Sequence, residues 1–218
     1  MKNETIELIE NIVQVIVLFI CTLLALYWAA KDKSRLWTMV MFFYGSYLLG
    51  DLYWQACLLF YDETPQVSVV SDLSWYAEYT FMFLLIKRKT DTQERIPKAQ
   101  ENRFRRFIPI LGPVFCISFA LYFMQYGEIL SNTIYAAIIG MLLYTVLSGL
   151  FRTVSQKSNN HRLLYSMVII LCLLNYALWV ASCFWDIDIC RKTYYFFDIL
   201  LSVWCLLFIP VIWREEKQ

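Results

Sequence analysis

The chain has 218 residues, 60% of them hydrophobic, with 19 basic and 18 acidic side chains and a formal net charge of +1. Its mean hydropathy of +0.52 is too high for a water-soluble domain of this length, and the apolar residues come in blocks instead of alternating with polar ones. A soluble catalytic domain is excluded, and no nucleic-acid partner is expected.

A bilayer core of ~30 Å takes ~20 residues of helix. Seven windows of that kind without Lys or Arg follow one another: Asn11 to Ala30, Leu36 to Phe60, Pro65 to Ile86, Phe107 to Gly127, Ser131 to Phe151, Leu163 to Trp185 and Tyr194 to Trp213. The core of the third, Leu73 to Ile86, is short. It is extended back with Thr64 as N-cap and Pro65 as first helical residue; the alternative is a helix that starts near Ser71 after an outer loop. The leader "MKNETIELIE" holds Glu4, Glu7 and Glu10 where a signal peptide carries basic residues, so the first window reads as a helix. With the N-terminus outside, 16 of the 19 Lys and Arg fall on inner connections, leaving Lys2, Arg191 and Lys192 outside. The predicted fold is all-α: one integral membrane bundle of seven transmembrane helices over residues 1–218, N-terminus outside and C-terminus inside, with no soluble output domain.

Five of the seven cysteines, Cys21, Cys57, Cys116, Cys172 and Cys205, lie within windows and form no CxxC pair; Cys183 and Cys190 flank the last outer loop and could bridge. The sole histidine, His161, sits in a basic inner loop, which excludes a histidine-ligated zinc hydrolase. The seventh window holds no Lys, which excludes a retinal Schiff base. No metal or cofactor is expected. The charged segment Lys87 to Arg106 reads as a topology determinant with a solvated surface helix, or as a site for a cytoplasmic signalling partner or anionic lipid.

Asp51 is the residue hardest to explain as plain structure. It lies ten residues before Tyr61, ~13 to 15 Å below the outer end of its helix. There an ionised carboxylate costs at least ~2.5 to 3.5 kcal/mol, so it is expected to face the protein interior, be hydrogen-bonded or be protonated. Helical spacing puts Tyr44, Tyr47, Asp51 and Gln55 on one stripe of helix two. Asp72, Tyr76, Tyr79 and Phe83 form a stripe of helix three, with Ser71, Ser74 and Glu78 beside it. Helix six offers Cys172, Asn175, Tyr176 and Trp179; helix seven offers Tyr194, Asp198, Ser202 and Cys205. Asp51, Asp72, Glu78 and Asp198 thus share an interior whose second, third and sixth windows contain no base. Their neutralisation requires protons, a bound cation such as Na⁺, or an organic cation in an aromatic cage built from Trp54, Trp75, Trp179 and the tyrosines. Arg191 and Lys192 could fold over the mouth. At Asp72 a helix-capping role competes with ligand contact, and Trp185, Tyr194 and Trp213 read as interface residues.

The run Gly50-Asp51, Trp54, Pro65, Ser68, Ser71-Asp72, Tyr76 and Tyr79 resembles the GD-x-x-W … P-x-x-S-x-x-(S/A)D-x-x-x-Y pattern of seven-helix bacterial membrane modules. Such modules precede diguanylate cyclase, phosphodiesterase or histidine kinase domains. The match covers Gly50 to Tyr79. The resemblance implies a sensory role in a bacterial cytoplasmic membrane and weight on Asp51 and Asp72, and it supplies no ligand. The sequence departs from that pattern by ending at Gln218, five residues past the last window, so a signal is expected to pass to a separate protein.

The expected function is a receptor-like or sensor membrane protein that binds a small, cationic or amphiphilic ligand in an outward-facing acidic and aromatic pocket. Its expected lining is Tyr47, Asp51, Trp54, Gln55, Asp72, Tyr76, Tyr79, Asn175, Tyr176, Trp179 and Asp198. The alternative is a small proton- or cation-coupled transporter. A third reading, a lipid-modifying enzyme using paired acids such as Asp51 with Asp72, lacks a supporting His, a Ser-x-x-Lys pair or a metal set.

Overall fold

A computed structural model describes residues 2–61, 69–93, 103–126, 129–152 and 159–217, with side chains from residue 8 onward and not at 152, 159 and 160. All elements among these residues are helices: α1 (Lys2–Asp32), α2 (Arg35–Tyr61), α3 (Val69–Asp91), α4 (Arg103–Tyr122), α5 (Ile129–Arg152), α6 (Asn159–Ser182) and α7 (Asp188–Glu216). Helices α1, α2, α5 and α7 each cover one of the seven apolar windows, and α3, α4 and α6 overlap the third, fourth and sixth. Thr64, Pro65 and Ser68 lie outside the described residues, which resume at Val69 already within α3.

Local chemistry sets the joints. Ser34 caps α2, its Oγ accepting from the Leu36 and Trp37 amides at 3.1 and 3.3 Å. Lys33, just before it, takes φ of 50°, the left-handed conformation that reverses the chain between α1 and α2. Pro109 and Pro113 sit inside α4, and Pro210 inside α7. A proline there has no N–H for the carbonyl four residues back.

Neighbour relations run α1–α2–α3–α5–α6–α7 and back to α1, closing a ring of six helices, while α4 packs outside it on α5. The interior holds Leu18, Cys21 and Ala25 of α1, Phe43 and Tyr44 of α2, Leu142 and Val146 of α5, Val168 and Leu171 of α6, and Phe208 of α7. Trp204 stacks on Phe208, ring centroids 4.7 Å apart, and donates its indole N–H to the Met167 carbonyl at 2.8 Å, joining α7 to α6. The outer surface is apolar as well: Phe19, Leu111, Leu130 and Leu207 are all more than half exposed. Such a surface belongs against lipid, not water.

Five helices, α1, α4, α5, α6 and α7, are long and apolar enough to cross a membrane. The two that fall short, α2 and α3, are those in which Tyr, Trp, Ser, Asp51, Asp72 and Glu78 replace aliphatic residues. The loss of hydropathy and the polar interior have the same residues as their cause. All seven cysteines are free thiols, Cys183 and Cys190 included.

Candidate functional site: a buried acid cluster

The stripes expected on α2 and α7 face inward. Tyr44, Tyr47 and Gln55 are buried on α2, and Asp198, Ser202 and Cys205 on α7. Tyr44 donates its hydroxyl to the Cys205 carbonyl at 2.7 Å, fixing α2 against α7. Above that bond, the Gln14 amide of α1 donates at 2.8 Å both to the Tyr47 hydroxyl and to Asp198 Oδ1. Glu10, one turn earlier on α1, brings a second carboxyl beside Asp198.

Asp51 accepts one hydrogen bond, from the Trp75 indole N–H of α3 at 3.1 Å. That contact depends on Gly50. A Cβ there would stand 2.7 Å from Trp75 Nε1 and 3.0 Å from Cδ1, closer than real carbon atoms approach. The other Asp51 oxygen, Oδ2, is buried with no partner, as are Oε1 of Glu78 and both polar atoms of the Gln55 amide. Glu78 is 2% exposed and Gln55 6%. Asp51 lies close enough to Asp198 and to Glu78 for the carboxyls to repel one another. Buried acceptors without donors are costly, ~1–3 kcal/mol each and more when charged, and no Lys, Arg or His enters the cluster among the described residues. The described residues also contain no group of three His, Cys, Asp or Glu placed to hold a metal.

The stripe of α3 divides. Ser71, Ser74 and Glu78 are buried, with Ser74 against Gly50 of α2. Asp72, Tyr76 and Tyr79 turn to α5: Tyr76 donates to Ser131 Oγ at 2.8 Å, Ser131 reaches Asp72 Oδ2 at 3.4 Å, and the Tyr76 and Tyr79 rings meet Tyr135 edge-on at 4.8 and 6.0 Å. Asp72 is also in the first turn of α3, where a carboxylate suits the helix dipole. Asp51 and Asp72 therefore belong to different groups and form no acid pair.

Helix six contributes less than its spacing suggested. Asn175 returns its amide to the Leu171 carbonyl of its own helix at 3.0 Å. Tyr176 and Trp179 pack on α4, Tyr176 edge-on to Phe119 at 5.2 Å and Trp179 edge-on to Phe123 at 4.7 Å. The aromatic wall beside Asp51 is the pair Trp54 and Trp75, 5.9 Å apart. Arg191 and Lys192 both bond Asp188, at 2.8 and 2.7 Å, within the first turn of α7. Gln14 and Glu10 were not expected in the site. Their signal was present, since they lie four residues apart and in register with buried Leu18.

A second polar group ties the opposite end of the bundle. Glu215 of α7 is 2% exposed and pairs with His161 of α6 and, at 3.2 Å, with Lys89 of α3; Thr90 and Tyr165 bond beside it at 3.0 Å. Of the segment 87–106, residues 94–102 lie outside the described residues.

Comparison with protein-family models, with curated proteins and with solved structures returns no match, so the site is read from its own geometry.

Proposed function

We propose that the chain is a seven-span membrane protein, N-terminus outside and C-terminus inside. On this reading it is a receptor-like sensor whose acidic interior takes up a small cationic guest and reports that occupancy to a separate protein at its basic inner segments. The observation that carries the reading is the convergence of Glu10, Asp51, Glu78 and Asp198 from four helices, with acceptors on Asp51, Glu78 and Gln55 left unsatisfied and no base among them. Helices α2 and α3, of 27 and 23 residues, reach ~40 and ~34 Å, longer than the hydrocarbon they would cross. The positive-inside distribution supports the orientation. Because Tyr176 and Trp179 are engaged by α4, the guest on this reading is a proton or a monovalent metal ion, bound by Asp51 Oδ2 and the Gln55 amide oxygen, and not a bulky organic cation.

Thermal unfolding of the purified protein in NaCl and in N-methylglucamine chloride, at equal ionic strength, tests this. Sodium at a hundredfold excess over its Kd adds about 2.7 kcal/mol to stability, and Asp51→Asn removes that increment. Identical melting in both salts at pH 6 and at pH 8 defeats the proposal.

One observation favours a second reading, a proton- or cation-coupled carrier. In the seven-span placement the acids are stepped in depth, with Glu10 toward the outside, Asp51 and Asp198 each ten residues, ~13 to 15 Å, below the outer ends of α2 and α7, and Glu78 deeper still, one turn beyond the Ser74 that packs on Gly50. Flux into proteoliposomes that vanishes in Glu78→Gln identifies a carrier; stabilisation without flux identifies a receptor.

A further inference from the structure

A cleft of about 530 Å³ lies between α3, α4 and α5, apart from the acid cluster. Its floor is α5, where Ala136, Ala137 and Gly140 present almost no side chain, and Phe83 of α3 and Ile117 of α4 form its walls. Helices α3 and α4 both pack on α5, and the cleft is the space they leave over it. Ile117 and Met141 at its edges are 57% and 50% exposed, so it opens on the apolar outer surface.

The lining is not uniform. Lys87 and Asp91, at the C-terminal end of α3, and Ser148, toward the end of α5, gather at one end of the cleft; the rest is hydrocarbon and aromatic except for Thr90 and Thr145, whose hydroxyls are engaged by Tyr165 and the Met141 carbonyl. Lys87 and Asp91 are four residues apart and share a face of α3. The Lys87 ammonium stands 5.8 Å from the centre of the Phe83 ring, over the wall of the cleft. Ser148 Oγ is buried with no hydrogen-bond partner. In the seven-span placement, Lys87 follows the last apolar residue of the third window, so the polar end falls at the inner boundary of the hydrocarbon. The floor from Ser148 to Ala136 then rises ~18 Å, toward the bilayer centre.

We propose that this cleft binds one inner-leaflet phospholipid with a zwitterionic, primary-amine headgroup. Its acyl chain lies along Ala137 and Gly140, its phosphate meets the Lys87 ammonium and the Ser148 hydroxyl, and its amine meets Asp91. Charge complementarity selects this headgroup. A purely anionic head satisfies Lys87 and is repelled by Asp91, while a quaternary ammonium has no N–H to donate to the Asp91 carboxylate. The site depends on the membrane placement of α3 and not on the acid cluster.

The test is native mass spectrometry of the full chain after incubation with an equimolar mixture of phosphatidylethanolamine, phosphatidylglycerol and phosphatidylcholine. One phosphatidylethanolamine per chain is expected to survive activation, about threefold or more above the other two classes, the range that one well-placed surface charge pair supplies. Ala137→Phe fills the exposed floor and removes the retained lipid. Lys87→Gln and Asp91→Asn, both on the exposed face of α3, abolish the preference without touching the core. Equal retention of the three lipids, a phosphatidylglycerol preference, unchanged retention in Ala137→Phe, or a dimer in place of the lipid overturns the proposal. If impermeant amine reagents modify Lys87 from outside intact cells, the membrane placement has failed, not the lipid chemistry alone.

Discussion

Asp51 keeps one oxygen on Trp75 and leaves the other bare, and the first of these depends on the residue beside it. Gly50→Ala drives a methyl group into the Trp75 ring. The expected result is a loss of about 1–3 kcal/mol, the range for overpacking a filled contact, with a change in tryptophan emission that separates it from a general loosening. Trp75→Phe keeps the ring packing but removes the N–H. It should cost a further buried acceptor's worth, about 1–3 kcal/mol, in chemical unfolding. At Lys33 the sign is opposite. A side chain at φ of 50° is strained by roughly 1–2 kcal/mol, so Lys33→Gly is expected to leave stability unchanged or raise it by up to about 1 kcal/mol, read as a shift in melting temperature. The Gly50-Asp51 dipeptide was legible in the sequence as a charge in an apolar run. Why a glycine precedes it was not, because the reason is an indole on another helix.

At the scale of the helix, periodicity identified which residues share a face far better than it identified what that face meets. The inward stripes of α2 and α7 follow directly from spacings of three and four. The α3 stripe is shared between two neighbours, since positions a residue apart lie about 100° around the helix and α2 and α5 flank α3 on different sides. Tyr176 and Trp179 carry the same spacing as a cage would, yet they hold α4 to α6. Trp179→Ala should therefore lower the melting temperature, by about 1–3 kcal/mol of stability for a half-buried ring, while any sodium-dependent increment is unchanged. A loss of the increment alone would return Trp179 to the cation site.

For the whole molecule, the number of helices was readable from hydropathy blocks, and the closure of six of them into a ring with α4 outside was not, since nothing in a local pattern specifies a helix's remote neighbours. The proposed orientation has a direct check. In a background of Cys183→Ser and Cys190→Ser, a cysteine placed at Lys192 should react with an impermeant maleimide from outside the cell, and one placed at Lys33 only after permeabilisation. The reverse pattern would turn the acid cluster toward the interior of the cell.

Helix α7 is fastened at its lower end and again about a third of the way along from its start. Asp198 is held by Gln14 at the upper point, and Glu215 by Lys89 and His161 at the lower end, ~26 Å away. Between them Pro210 leaves the Leu206 carbonyl without its helical donor, so the rod has a soft joint five residues from its lower clasp. Torque applied where Asp198 sits is absorbed at that joint or delivered to the clasp, and the relative stiffness of the two determines how far along the rod it travels.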